Sequence, residues 1–262
     1  MDSLLSALLL GLIEGLTEFL PISSTGHLLI AQHWLGPRSD LFNISIQAGA
    51  IVAVVLVYRQ RLWGLARGFL SDVEQRDYVL KLIVAFAITA VLGLAVSKAG
   101  IRLPETVTPI AWALLIGGVL ILIAERITAG RVDSTRITWT VAILVGVAQV
   151  VAGVFPGTSR SAAAIFVAML AGASNRPAAT EFAFLLGIPT MFAATGYAWL
   201  RDGGQGGEAW SELAVAFVAA TVAGFAAVRW LLGYIKTHRF TGFAWYRIGL
   251  GAALLLGLPA GA

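Results

Sequence analysis

Glu14-Gly-Leu-Thr-Glu18-Phe-Leu-Pro21-Ile-Ser23-Ser24-Thr25-Gly26-His27 places two carboxylates, a proline, three consecutive hydroxyls and a histidine inside a mostly apolar run. Glu14 and Glu18 stand four residues apart and so share one face of a helix. Pro21 stops that helix, and a short apolar piece, roughly 27–35, follows before Gly36-Pro37. Two short helical pieces around a polar break read as a re-entrant hairpin, tolerated at membrane depth only where protein or a water-filled cavity covers it.

The rest of the chain supports a membrane setting. Of 262 residues, 58% are hydrophobic and 12% charged, against roughly 25% charged in soluble domains. Full-span candidates fall at roughly 42–58, 79–96, 107–124, 182–200, 211–228 and 243–258, each near the ~20 residues needed to cross the hydrocarbon core. Residues 137–155 resemble the first segment, with Gln149 inside and a break at Pro156-Gly157, and 161–172 form the returning arm. The expected fold is an all-α polytopic membrane protein of six transmembrane helices and two re-entrant hairpins. Met1-Asp2-Ser3 lacks the basic region of a signal peptide, so the first apolar stretch is expected to remain in the mature protein. There is no cysteine, hence no disulfide or thiolate metal site, and a net charge of +4 is too modest for a nucleic-acid binder.

Charge sets the orientation. With 59–81 placed in the cytoplasm, the inside segments (59–81, 125–136, 172–181, 229–247) hold 13 of the 18 Lys and Arg residues. The outside segments hold Arg38, Lys98, Arg102 and Arg201, and Arg160 alone lies in the second hairpin. This follows the positive-inside rule. It puts both termini outside and makes the hairpins enter from opposite faces, as an inverted repeat would. At an offset of 135, Gly11 aligns with Gly146, Glu14 with Gln149, Pro21 with Pro156 and Ser24 with Ser159. Residues 1–124 thus form one repeat half and 137–258 the inverted half, joined by the polar cytoplasmic linker 125–136. Such repeats place a site near the midplane, where the breaks meet.

Two carboxylates at membrane depth, each costing at least about 2.5–3.5 kcal/mol on insertion scales, point to function. They suit a divalent cation, a held proton or a pairing with Arg160; Mg²⁺ fits if a phosphate lies nearby. Arg160 suits bidentate phosphate contact, and Ser23, Thr25, Gly26, Gly157, Thr158, Ser159 and Ser161 surround two helix starts able to cradle an anion. His27, three positions after Ser24, can act as its base or itself attack phosphorus. Gln47 is placed to line the cavity. Transport of an anionic isoprenyl phosphate lipid, by a transporter or flippase, is the competing reading, since inverted repeats mark secondary transporters.

At Glu14–His27, at Pro156-Gly-Thr-Ser-Arg-Ser161 and at Glu181-Phe-Ala-Phe-Leu-Leu-Gly-Ile-Pro189, the chain resembles the undecaprenyl-diphosphate phosphatase family associated with bacitracin resistance. The resemblance implies hydrolysis of undecaprenyl diphosphate in the bacterial plasma membrane, recycling a lipid carrier for cell-wall synthesis. It also implies a Mg²⁺ or Ca²⁺ requirement, held by Glu14 and Glu18, with Ser24, His27, Glu18 and Arg160 catalytic. Undecaprenyl diphosphate and the surrounding bacterial membrane lipids are the expected partners, and a homodimer is left open. Ala162, where the family usually has Gly, and Ala173-Ser-Asn-Arg176, where it tends to have Gly-Leu-Ser-Arg, depart from the pattern and bear on helix packing or substrate fit.

Overall fold

A computed structural model describes residues 3–100, 106–202 and 207–257, all helix and connecting turns. Both chain ends, and Arg102 among the expected outside charges, lie outside the described residues. Among the described residues eleven helices follow one another: α1 Ser3–Glu18, α2 Ser24–Leu35, α3 Asp40–Val57, α4 Arg59–Gly68, α5 Val73–Lys98, α6 Val107–Thr128, α7 Trp139–Val154, α8 Arg160–Leu170, α9 Arg176–Asp202, α10 Trp210–Tyr234 and α11 Thr241–Gly257. Five of them, α3, α5, α6, α9 and α10, are long and apolar enough to cross a bilayer, and the molecule is a polytopic membrane protein. The expected sixth span, α11, has 17 residues. At 1.5 Å per residue it is roughly 25 Å long, a little under the ~30 Å hydrocarbon thickness.

Helices α5, α9 and α10 extend up to six residues beyond the spans read in the sequence, and two further differences change where charged residues sit. The segment 59–81 contains α4, whose three arginines and two glycines hide its helical pattern. Helix α6 runs on to Thr128, so Glu125, assigned to a solvated linker, is buried inside the protein. There it accepts two bonds from the Arg176 guanidinium, at 2.9 and 2.6 Å, and one from the Phe240 amide at 2.9 Å. One carboxylate therefore joins α6, α9 and the start of α11.

Packing is led by α1 against α10 and α3 against α10, with α6 beside α11 and α5 beside α7. Small residues allow these approaches, as expected where lipid cannot drive helices together by hydrophobicity. A Cβ at Gly15 would lie 2.7 Å from the Gly224 amide nitrogen and 2.9 Å from Ala223 Cβ, and one at Gly11 would overlap the Ala216 carbonyl. Outward faces carry Leu, Val and Ile, and exposed Trp34, Trp139, Trp210 and Trp230 sit near helix ends, where bilayer interfaces favour indole.

Because the obstacle at Gly15 is backbone, Gly15→Leu should force α1 off α10. Overpacking of this kind costs about 1–3 kcal/mol, so thermal melting of the purified protein in detergent should fall by roughly 3–10 °C. An unchanged melting temperature would contradict the packing described.

Candidate active site

Helix α1 ends at Glu18 and α2 begins at Ser24; α7 ends at Val154 and α8 begins at Arg160. The two restarts are built alike. Ser23 and Ser159 are the only non-glycine residues with positive φ among those described, at 72° and 68°. Each caps its helix by accepting from the amide three residues on, Gly26 at 3.3 Å and Ala162 at 3.2 Å. Serine in this region is strained by about 1–3 kcal/mol, so both turns are held by their surroundings. The shared cap aligns Ser23 with Ser159, and therefore Ser24 with Arg160. The Ser24–Ser159 correspondence drawn from the sequence is one residue out, because three steps separate Pro156 from its capping serine and two separate Pro21 from its own.

Glu18 is the hub. One of its oxygens takes a 2.9 Å bond from Arg160 Nη2, and the other accepts a short hydrogen bond from Ser24 Oγ. The same Arg160 nitrogen reaches Gln47 Oε1 at 2.9 Å, so α1, α2, α3 and α8 meet at one point. Glu14, one turn earlier on α1, is fully buried, and neither of its oxygens has a hydrogen-bond partner. Its charged neighbours are Glu18 and Arg160. Two unsatisfied oxygens in an apolar interior are costly. They are the type of donor a hard cation takes, and one or two carboxylates suffice for Mg²⁺ when water and phosphate complete the shell.

The remaining hydroxyls divide between bracing and lining. Ser161 Oγ lies 3.0 Å from Ser159 Oγ and 3.3 Å from the Leu20 carbonyl, joining the second break to the first. Thr25 is half-buried on the first turn of α2. Gly26 packs toward Ile110, and Gly157, at φ 88°, comes so close to α6 that a Cβ would sit 3.0 Å from the Ile110 backbone. Thr158 contributes its carbonyl, described below.

His27 does not reach Ser24, contrary to the expectation from their spacing. Its Nδ1 is 2.7 Å from the Ser23 carbonyl, which requires a proton on that nitrogen, and Nε2 is 2.7 Å from the Tyr246 hydroxyl on α11. A second correction concerns Arg247, counted with the inside loop charges. It lies within α11 and is completely buried. Its guanidinium donates to the carbonyls of Pro21 (3.3 Å), Gly157 (3.0 Å), Thr158 (3.2 Å), Ala113 (3.0 Å) and Leu114 (3.4 Å). Arg160 is therefore one of two arginines at the breaks, partly exposed where Arg247 is completely buried. The available signal was a charge four residues inside a proposed span. Glu181, quoted within the third motif, lies elsewhere and pairs with Arg61 at 2.8 Å.

Residues 7–253 match the model of the family described as "Bacitracin resistance protein BacA". The chain is 71% identical over its full length, and that of the relative, to a protein named undecaprenyl-diphosphatase from Stenotrophomonas maltophilia (strain R551-3). It is 66% identical, again over both full lengths, to one of the same name from Xanthomonas oryzae pv. oryzae (strain PXO99A). The chain belongs to the BacA family. Of the BacA-type stretches, Glu14–His27 and Pro156–Ser161 are the two that fold together around Glu18 and Arg247. Ala162, the first departure, fits its place: its amide is used by the cap, and its small side chain is buried.

Each carbonyl released from Arg247 would lose its partner in a dry setting, at about 1–3 kcal/mol apiece. Arg247→Met should therefore lower the melting temperature by more than 10 °C or prevent folding, whereas Arg247→Lys, with three donors for five acceptors, should fall between it and wild type. Equal melting of all three would contradict the bracing role.

Proposed function

We propose that this BacA-family protein hydrolyses undecaprenyl diphosphate to undecaprenyl phosphate and inorganic phosphate. The observation that carries the reading is Glu18, held between Arg160 and the Ser24 hydroxyl beside the unpartnered carboxylate of Glu14. A nucleophile, a base and a phosphate-binding cation thus meet at a buried point. The names of the full-length relatives support the substrate.

Ser24 Oγ attacks the terminal phosphorus while its proton passes to Glu18, the group it already bonds. This replaces His27 as base in the scheme suggested by spacing. The bond from that phosphorus to the bridging oxygen breaks, and undecaprenyl phosphate leaves with the electron pair. Water then displaces Ser24 from phosphorus, Glu18 returns the proton to Oγ, and inorganic phosphate departs. Arg160 turns its guanidinium to the phosphate oxygens, with the amides at the α2 and α8 starts behind it. Ser23, Thr25, Gly26, Gly157, Thr158, Ser159 and Ser161 shape that cradle, and Gln47 holds Arg160 in line. His27 is held at the edge of the site by the Ser23 carbonyl and the Tyr246 hydroxyl.

A bound Mg²⁺ or Ca²⁺ would neutralise phosphate charge as it builds on the leaving group. Glu14, with both oxygens free, would hold it first, and Glu18 would join once Arg160 moves to phosphate. In the membrane, α1–α2 and α7–α8 are re-entrant hairpins and α11 is the sixth crossing, giving an inverted repeat of 1–124 and 137–258. The matching serine caps and the α1–α10 and α7–α5 pairings support this. Positive-inside charge supports a bacterial plasma-membrane protein whose termini and active-site opening face outside.

Purified protein in detergent, given undecaprenyl diphosphate and Mg²⁺, should release phosphate. Ser24→Ala, Glu18→Gln and Arg160→Ala should each lower kcat by about 10²-fold or more, the scale of losing acid–base or charge-stabilising groups. Chelation should suppress release, and added Mg²⁺ or Ca²⁺ should restore it. Folded wild type that releases no phosphate would defeat the proposal, and turnover unaffected by chelation would defeat the metal assignment.

A further inference from the structure

A polar cavity lies at the end of α6 remote from the breaks. It measures about 370 Å³ and is bounded by the α6–α7 connection, the α8–α9 turn and the α10–α11 turn. From Leu114, which meets Arg247, to Thr128 at this cavity is fourteen residues of α6, or roughly 21 Å. The two sites are separate.

The walls are cationic and already ordered. Arg131, Arg176, Lys236 and Arg239 line the cavity with one acid, Asp133. With Glu125 standing behind Arg176, two positive charges remain in excess. The connection and the α8–α9 turn are laced together: the Asn175 amide donates to the Ser134 carbonyl at 3.0 Å, the Ser134 amide to Ser174 Oγ at 2.9 Å, and Ser174 Oγ to the Val132 carbonyl at 2.7 Å. Asn175 Nδ2 holds Asp133 at 2.9 Å, and Arg131 is fixed to the Leu170 carbonyl at 2.6 Å. Ser174 and Asn175 belong to the stretch that departs from the family's usual sequence. On the opposite wall Lys236 and Arg239 are exposed.

The rim is apolar. Val132 is 90% exposed between Arg131 and Asp133, and Ile127, Leu170 and Trp230 are open to the surroundings nearby in the chain. Trp139 begins the helix that leaves the cavity. Basic walls with aliphatic and indole flanks at a helix end describe the head-group level of a bilayer. A freely diffusing anion would need the charge and would have no use for Val132.

We infer that this cavity binds the phosphate head group of an anionic membrane phospholipid, with the acyl chains lying along Ile127, Val132 and Leu170. The inference does not depend on the phosphatase reading. Lys236 and Arg239 supply the attraction, and the hydrogen-bonded opposite wall keeps the cavity open before the lipid arrives. Such a lipid would bridge α6, α9 and α10 at the end remote from the breaks.

Full-length protein in detergent should be titrated with dioleoyl-phosphatidylglycerol, dioleoyl-phosphatidylcholine and inorganic phosphate, with thermal melting as the readout. Phosphatidylglycerol should raise the melting temperature saturably, and the other two should not. Lys236→Gln/Arg239→Gln should raise the half-saturating concentration about thirtyfold, the effect expected for two basic groups near a charged surface, with lipid-free melting and detergent phosphatase activity unchanged. The control Arg59→Gln/Arg76→Gln, exposed positions on α4 and α5, should titrate like wild type. An unaltered titration in the Lys236/Arg239 variant, an equal loss in the control, or an equal response to phosphatidylcholine would overturn the inference. A response to inorganic phosphate alone would overturn the lipid assignment.

Discussion

Everything at the centre of this protein depends on one guanidinium bonded to five backbone carbonyls. The two helix breaks free backbone carbonyls in the buried interior, and each must find a donor in the protein. Arg247 supplies all five of its N–H groups to Pro21 in the first break, Gly157 and Thr158 in the second, and Ala113 and Leu114 on α6. Gly117 leaves room for it; a Cβ there would strike the guanidinium. Among the described residues no carboxylate pairs with it. Carbonyl dipoles from three segments do so together, which makes the charge a fastener: it is satisfied only when both breaks are in place.

With the breaks fixed, the chemistry at their tips becomes intelligible. Strained serine caps at Ser23 and Ser159 point the first residues of α2 and α8, Ser24 and Arg160, toward the same carboxylate. One turn thus offers a hydroxyl and the other a cation, on matching scaffolds. Glu18 balances Arg160 while accepting from Ser24, and Glu14 is left as the unsatisfied donor set. That imbalance suits a site completed by an anionic substrate and a divalent ion, because each supplies the charge the other lacks.

Much of this was legible in the chain. Long apolar runs located five spans with ends up to six residues out, and Pro21 and Pro156 marked both breaks. Buried carboxylates beside hydroxyls singled out Glu14, Glu18, Ser24 and Arg160, which do come together. The failures have physical causes. Arg247 sits near a helix start, where snorkelling to a loop is the ordinary expectation for an arginine; only its carbonyl partners, scattered over 130 residues, reveal otherwise. Ser24 and His27 are three apart, which permits contact across one turn, but Tyr246 and the Ser23 carbonyl compete for the ring and win. The offset of the two breaks was misread by one residue because Pro156 and Pro21 stand at different distances from their caps. Glu125 was placed in a solvated linker because its partner Arg176 lies 51 residues away.

In the proposed mechanism Ser24, activated by Glu18, takes the phosphoryl group. Rapid quenching of the enzyme with undecaprenyl diphosphate labelled at the terminal phosphate, followed by mapping of the label, puts this to the test. A phosphoenzyme should form that is stable in acid, labile in alkali and located at Ser24, and Ser24→Ala should eliminate it. Label that is lost in acid and maps to His27, or single-turnover hydrolysis persisting at full rate in Ser24→Ala, would contradict the mechanism.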